Sequence, residues 1–383
     1  MGILRGPSLN PFEGQYLEKL PKYGFQPIGI TTYDNAFNLS EIHFPIRVGH
    51  NFKTLTKGKL RPLVSVAGKL AKYNFGSWNL LVFDLKKLTA DLDIIYSADM
   101  WYPYTYQAVK TGIPTIVMEW ENIPKNVEAR PYSKIKRYNR EYATHFVAIT
   151  EKAKEALIIE GVSPNRISVV PAGIDCERFK PAERNELVVK KLGISKDSIR
   201  ILFVGRLVPE KGILDLLRAF SMLLRNVQDV ELMVVGSGSS SMQLQISRLV
   251  ANLKIGDKVK LLGNIEYSNM PQIHNLADIF CLPSIPTKTW AEQFGYSMVE
   301  AMACGKPVVS TSTGSIPEIV KNRTTGILVK PNNSRELESA IEELILNKQE
   351  RDTFGRNGRK WVLQKFEANK IAAQLAKIYC KFI

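Results

Sequence analysis

From Ile201 onward, short continuous apolar runs alternate with stretches in which apolar residues recur every three or four positions. The runs Ile201–Val204, Leu232–Val235, Val259–Leu262, Ile279–Leu282, Pro307–Ser310 and Gly326–Val329 predict strands. Between them, 212–226 reads as a helix through Ile213, Leu216, Leu217 and Phe220, with further helices over 240–254 and 268–276. Strands without polar alternation, separated by helices, predict a parallel sheet covered on both faces, whose ligands bind beyond the carboxyl ends of its strands.

The N-terminal half repeats this pattern less cleanly. Strands are expected at Ile3-Leu4, Pro27–Thr31, Leu80–Phe83, Asp93–Ser97, Pro114–Met118, His145–Ile149 and Ile167–Val170. Helices are expected near 12–22, 101–112, 127–142 and 151–160, while the polar stretch 35–62 matches neither period. Turn signals and charge over Pro171–Lys196 read as an interdomain linker, and helices over 352–365 and 369–383 close the chain. A length of 383 residues exceeds one ordinary core. The expected organisation is an N-terminal domain over 1–180, a C-terminal domain over 181–365, and a C-terminal helix over 366–383 packing back on the N-terminal domain.

Composition adds little: 45% hydrophobic and 23% charged residues are ordinary for a globular protein. The four cysteines are scattered without metal or redox spacing, and no apolar run approaches a membrane span, so a cytoplasmic protein is expected. The net charge of +15 fits an anionic partner or solubility alone. Its densest cluster is Lys134, Lys136, Arg137 and Arg140, interleaved with tyrosines on an expected helix. That pattern reads as a solvated face or as a contact with an anionic membrane surface, which would place the protein peripherally at the inner face. No nucleic-acid-binding motif accompanies it, so no nucleic acid is expected.

Two glutamates, Glu292 and Glu300, bracket the start of a helix entered through Gly295. A helix start offers unpaired amides and a positive dipole end to a phosphate, and the flanking carboxylates can accept from sugar hydroxyls. Upstream, Gly205 ends a strand and is followed by Arg206 and Lys211, two cations that could neutralise a leaving diphosphate. Val235-Gly236-Ser237-Gly238 is a second Gly-rich turn, without the dinucleotide-binding pattern. Asp91-Leu92-Asp93 has the form of a D-x-D metal motif but opens an apolar strand in the other half, so neither a metal nor a cofactor is expected.

These segments, with Gly263-Asn264-Ile265, Ala277-Asp278, Pro283-Ser284, Ala301–Val309 and Gly314…Glu318, occur in one order across about 165–365. The ordered set resembles the donor half of the family 4 (group 1) retaining glycosyltransferases. The resemblance implies an α/β fold of GT-B architecture: two facing doubly wound Rossmann-like domains with mainly parallel sheets and an interdomain cleft. It further implies that Arg206 and Lys211 hold a donor diphosphate, Glu300 the ribose, and Glu292 the transferred sugar. Amides from Phe294 through Gly295 and Tyr296 to Ser297 would meet sugar and phosphate, with Asn264 and Ile265 beside the nucleobase.

The acceptor half departs from the family. Glu13-Gly14-Gln15 stands where a Gly-Gly loop is usual, and Trp120 where many members carry histidine. Gly14, Asp99, Trp120 and Glu121, with Glu119, are the acceptor-side candidates, and none of the four histidines falls in a catalytic constellation. The implied function is metal-independent, hexosyltransferase-like transfer from a nucleotide sugar to a hydroxyl of a glycan, lipid or small molecule. The alternatives are a donor-binding subunit with little catalysis, or a sugar phosphorylase or nucleotide-sugar epimerase on the same fold.

Overall fold

The computed structural model describes residues 1–55, 78–128 and 131–383. The end of the unassigned stretch 35–62, beyond residue 55, and residues 129–130 of the helix expected over 127–142 lie outside the described residues. The chain divides into two compact units, Met1–Gly173 with Ala368–Ile383, and Ile174–Glu367. The boundary thus falls before the expected 180/181, because Ile174 donates to Phe366 O at 2.7 Å and joins the second unit there.

The first unit is built on seven parallel strands, β1 (Gly2–Gly6), β2 (Ile28–Thr32), β3 (Ile46–Gly49), β4 (Ile95–Ala98), β5 (Thr115–Glu119), β6 (His145–Ala148) and β7 (Ile167–Val169), in the order 3-2-1-4-5-6-7. Because β2 and β4 flank β1, the winding direction reverses between β1 and β4, and a crevice opens outside their carboxyl ends. The helix Ala368–Tyr379 belongs to this unit, where Tyr379 meets the Phe25 ring at 5.4 Å and the Tyr96 ring at 5.6 Å.

The second unit carries six parallel strands, β8 (Ile199–Val204), β9 (Val230–Val235), β10 (Val259–Gly263), β11 (Ile279–Leu282), β12 (Val308–Thr311) and β13 (Gly326–Val329), in the order 10-9-8-11-12-13. Its reversal lies between β8 and β11. Phe203, Phe280, Leu216, Phe220 and Val309 are fully buried, as continuous apolar strands between two helical layers require.

One expected strand fails, and one unassigned stretch contains a strand. Leu80–Phe83 forms no strand: the Gln107 side chain takes both backbone groups of Val82, accepting from its N–H at 2.9 Å and donating to its C=O at 3.1 Å. Within the stretch left unplaced, Ile46–Gly49 is the edge strand β3, mostly half-buried and therefore without an apolar run. Among the described residues, no helix is long and apolar enough to cross a membrane.

Candidate active site

The second unit gathers its chemistry at the reversal between β8 and β11. After β8, Gly205 leads into a loop whose short turn Pro209–Lys211 ends at Gly212, with φ +73°. A Cβ on Gly212 would stand 1.9 Å from Pro283 O, so only glycine lets this loop lie against the end of β11. Ile285 N–H donates to Glu210 O at 2.8 Å and closes the two loops together.

That closure delivers Lys211 Nζ to Glu292 Oε2 at 2.6 Å, and Ser284 Oγ donates to the same oxygen at 2.8 Å. Lys211 also lies 5.0 Å from the Trp290 ring centroid. Both charged side chains are largely buried, at 13% and 6% exposure, whereas the Arg206 side chain is 65% exposed and 3.9 Å from Glu210. A withdrawn cation fixed on a carboxylate, beside a second cation open to solvent, is a ready counter-charge for a diphosphate.

The helix Tyr296–Ala303 starts beside this pair through Gly295 at φ +80°, and Ser297 Oγ donates to Val204 O at 3.0 Å, tying the helix start to the end of β8. The Phe294 side chain is core, meeting the Tyr296 and Phe366 rings at 5.3 and 5.6 Å, so any contact from Phe294 to a ligand is through its backbone. Asn264 is exposed and Ile265 half-buried just after β10. Glu300 is withdrawn: its Oε1 accepts from Tyr267 OH at 2.6 Å, and its Oε2 lies 3.2 Å from His274 Nε2. His274 is fully buried, the core role expected of the histidines, with its Nε2 beside Glu300. It sits 26 positions before Glu300, and its own neighbourhood carries no sign of that partner.

Gly314 supports Glu292 from beneath. Its φ is +55°, a Cβ there would come within 2.3 Å of Glu292 O, and Ser315 N–H donates to that carbonyl at 2.8 Å. Gly314→Ala is expected to cost about 1–3 kcal/mol and to displace the Glu292 backbone, read as a lower Tm together with weaker nucleotide binding.

In the first unit, a second polar cluster occupies the reversal between β1 and β4. Arg5, almost fully buried, donates Nε to Glu13 Oε2 at 2.7 Å; burial pulls its guanidinium down, but the Glu13 carboxylate holds it above its ordinary value. Gly14 lies inside the helix Pro11–Leu17, with its N–H on Asn10 O, so no open glycine loop stands there. Asp99 and Glu119 hold each other's strand ends: Trp120 N–H donates to Asp99 Oδ1 at 2.8 Å, and Met100 N–H donates to Glu119 Oε2 at 3.0 Å. Burial pushes the Asp99 carboxyl up to about 7; the Trp120 amide opposes that rise, and Glu121 and Glu13 add to it. Burial, then Asp99, pushes Glu119 well above the carboxylate range. Glu121 is bound into its own loop, accepting from Ile123 N–H at 2.9 Å and Asn126 Nδ2 at 2.8 Å.

One sequence reading changes, and the D-x-D segment is engaged elsewhere. Lys136 leaves the basic surface cluster, because it is buried and donates to Glu160 Oε1 at 2.7 Å and Asn126 O at 2.8 Å. Asp91 is gripped by Arg47 at 2.5 and 2.7 Å, and among the described residues no group of acids, histidines or cysteines could hold a metal.

Two doubly wound parallel sheets with these crossovers define the GT-B class of glycosyltransferase folds. The chain belongs to the group 1 (family 4) glycosyltransferases: the pattern of "Glycosyl transferases group 1" matches residues 185–361 and that of "Glycosyltransferase Family 4" residues 47–178. It is 28% identical, over 55% of its length and 54% of the relative's, to a GDP-mannose-dependent alpha-(1-6)-phosphatidylinositol monomannoside mannosyltransferase of Mycobacterium tuberculosis. It is 31% identical, over 63% of its length and 62% of the relative's, to the capsular polysaccharide biosynthesis glycosyltransferase CapM of Staphylococcus aureus. The chain spans about half the length of the curated relatives it matches. Among solved structures, Anabaena HepE in complex with UDP-glucose shares the fold, with a TM-score of 0.78 at 21% identity over 100% of both chains.

Proposed function

We propose that this protein transfers a sugar, with retention of anomeric configuration and without a metal, from a nucleoside diphosphate sugar to a hydroxyl acceptor. The observation that carries the reading is the 2.6 Å contact of Lys211 with Glu292 at the reversal between β8 and β11. It supplies a fixed cation for the departing diphosphate and, on its partner, an acceptor for sugar hydroxyls. Arg206 completes the counter-charge, while the amides of Gly295, Tyr296 and Ser297 meet the phosphate and Glu300 the ribose. Relatives support the donor class: the solved HepE complex holds UDP-glucose, and the mycobacterial enzyme is named for GDP-mannose.

On the acceptor side we assign Asp99, at the reversal of the first sheet, and Trp120, after the neighbouring β5, and leave Gly14 and Glu121 in the structural roles described above. A panel of UDP- and GDP-sugars, with products read by mass and by NMR anomeric configuration, tests the proposal. The expected result is a product with the donor's anomeric configuration, formed equally well in a chelator. An inverted product or loss of turnover in the chelator would overturn the corresponding part.

A further inference from the structure

We infer that His274 and Tyr267 set how Glu300 reads a ribose: His274 fixes one carboxylate oxygen permanently, and Tyr267 holds the other until a ribose hydroxyl replaces it. The inference rests on the donor reading above and deepens it. Glu300 is only 3% exposed, so a hydroxyl can reach it only where a present partner yields.

The two partners differ in their freedom to yield. His274 is fully buried in the helix Met270–Leu276, its ring 6.0 Å from Phe179 and 5.7 Å from Phe280. Its Nδ1 has no hydrogen-bond partner among the described residues. A carboxylate oxygen accepts, so Nε2 is the ring atom that donates toward Glu300. Tyr267 instead opens the short turn Tyr267–Asn269, is half-buried, and lies between the exposed residues Glu266 and Ser268. One face of its ring is covered by the Arg178 guanidinium at 4.5 Å.

This turn directly follows Asn264 and Ile265, the loop assigned to the base. A ribose hydroxyl donating to Oε1 replaces the phenol one for one, so the buried carboxylate keeps two donors in both states. His274 is thus a positioning residue that leaves one oxygen to present, and Tyr267 is the group the ligand displaces.

The test is calorimetric binding of UDP, GDP and ADP, and of the 2′- and 3′-deoxy forms of whichever binds tightest. Tyr267→Phe, which removes the competing phenol, is expected to tighten the ribonucleotide about three- to tenfold. His274→Ala is expected to weaken it about tenfold and to erase the preference for ribose over the deoxy forms. His274→Gln, whose amide can donate to the same oxygen, should restore most of both. In turnover the donor KM should move while kcat holds within about threefold, because the ribose is remote from the reacting carbon. Weaker binding by Tyr267→Phe, or an intact ribose preference in His274→Ala, would overturn the assignment. If the wild type binds none of the three nucleotides, the donor reading itself falls and this inference with it. Wild-type binding with unmoved variants removes this inference alone.

Discussion

Lys211→Ala is expected to lower turnover at least about a hundredfold, the scale set by deleting one preorganised group that meets transition-state charge. The ammonium is held at 2.6 Å from Glu292 in a largely buried setting, where a departing diphosphate would find its counter-charge already placed. The same change removes a cation from a buried carboxylate, which costs about 3–5 kcal/mol when such a pair is broken. Stability loss and lost chemistry therefore have to be separated. Lys211→Met combined with Glu292→Gln keeps the volumes and discards both charges, so it should recover most of the Tm and none of the turnover. A double variant that regains activity, or a folded Lys211→Ala protein with wild-type turnover, would remove Lys211 from the reaction.

The second unit was legible because its strands are buried on both faces and so appear as unbroken apolar runs. Val234, Phe280 and Val309 have no polar alternation to mislead, and the strand ends shift by at most two residues. The first unit was less legible where side chains do the work of backbone. At Val82 a glutamine imitates a neighbouring strand, and the apolar run Leu80–Phe83 gave no sign of it. The short β1 proved longer than its Ile3-Leu4 core because Arg5, a charged residue, is taken into the interior by Glu13. A charge next to an apolar run of residues is the signal that could have pointed there.

The site divides the same way. Lys211 and Glu292 stand in a recognisable order along the chain, and the fold brings them into contact. His274 and Tyr267 could not be found by spacing, because their relation to Glu300 arises only when the turn after β10 packs on the helix Tyr296–Ala303. The basic cluster misled for the opposite reason: helical periodicity placed Lys136 with its neighbours but could not foresee Glu160 reaching it from the end of the next helix.

Asp99→Asn is expected to stabilise the protein at pH 8 and to leave it nearly unchanged near pH 4. Asp99 is 7% exposed, and burial raises its carboxyl to about 7, against an ordinary value near ~4. A folded-state pKa above the unfolded value means the native state binds the extra proton, so wild-type stability is fully present below about 4 and falls as pH rises toward 7. Asparagine carries no such charge, and its oxygen can still accept from Trp120 N–H. It also tolerates the φ of +40° found at this position. The difference between variant and wild type should therefore open across that window to on the order of 2–4 kcal/mol and widen further above it, because Asp99 also raises Glu119 in the wild type. Urea unfolding at four pH values measures this, and an offset equal at every pH would show that the gain has another source. A carboxylate that costs stability at neutral pH, at the reversal of the first sheet, is the kind of strain proteins keep where function needs it. The same variant should then lose turnover as it gains stability, with the donor KM unmoved. Gain without loss would place Asp99 outside the reaction.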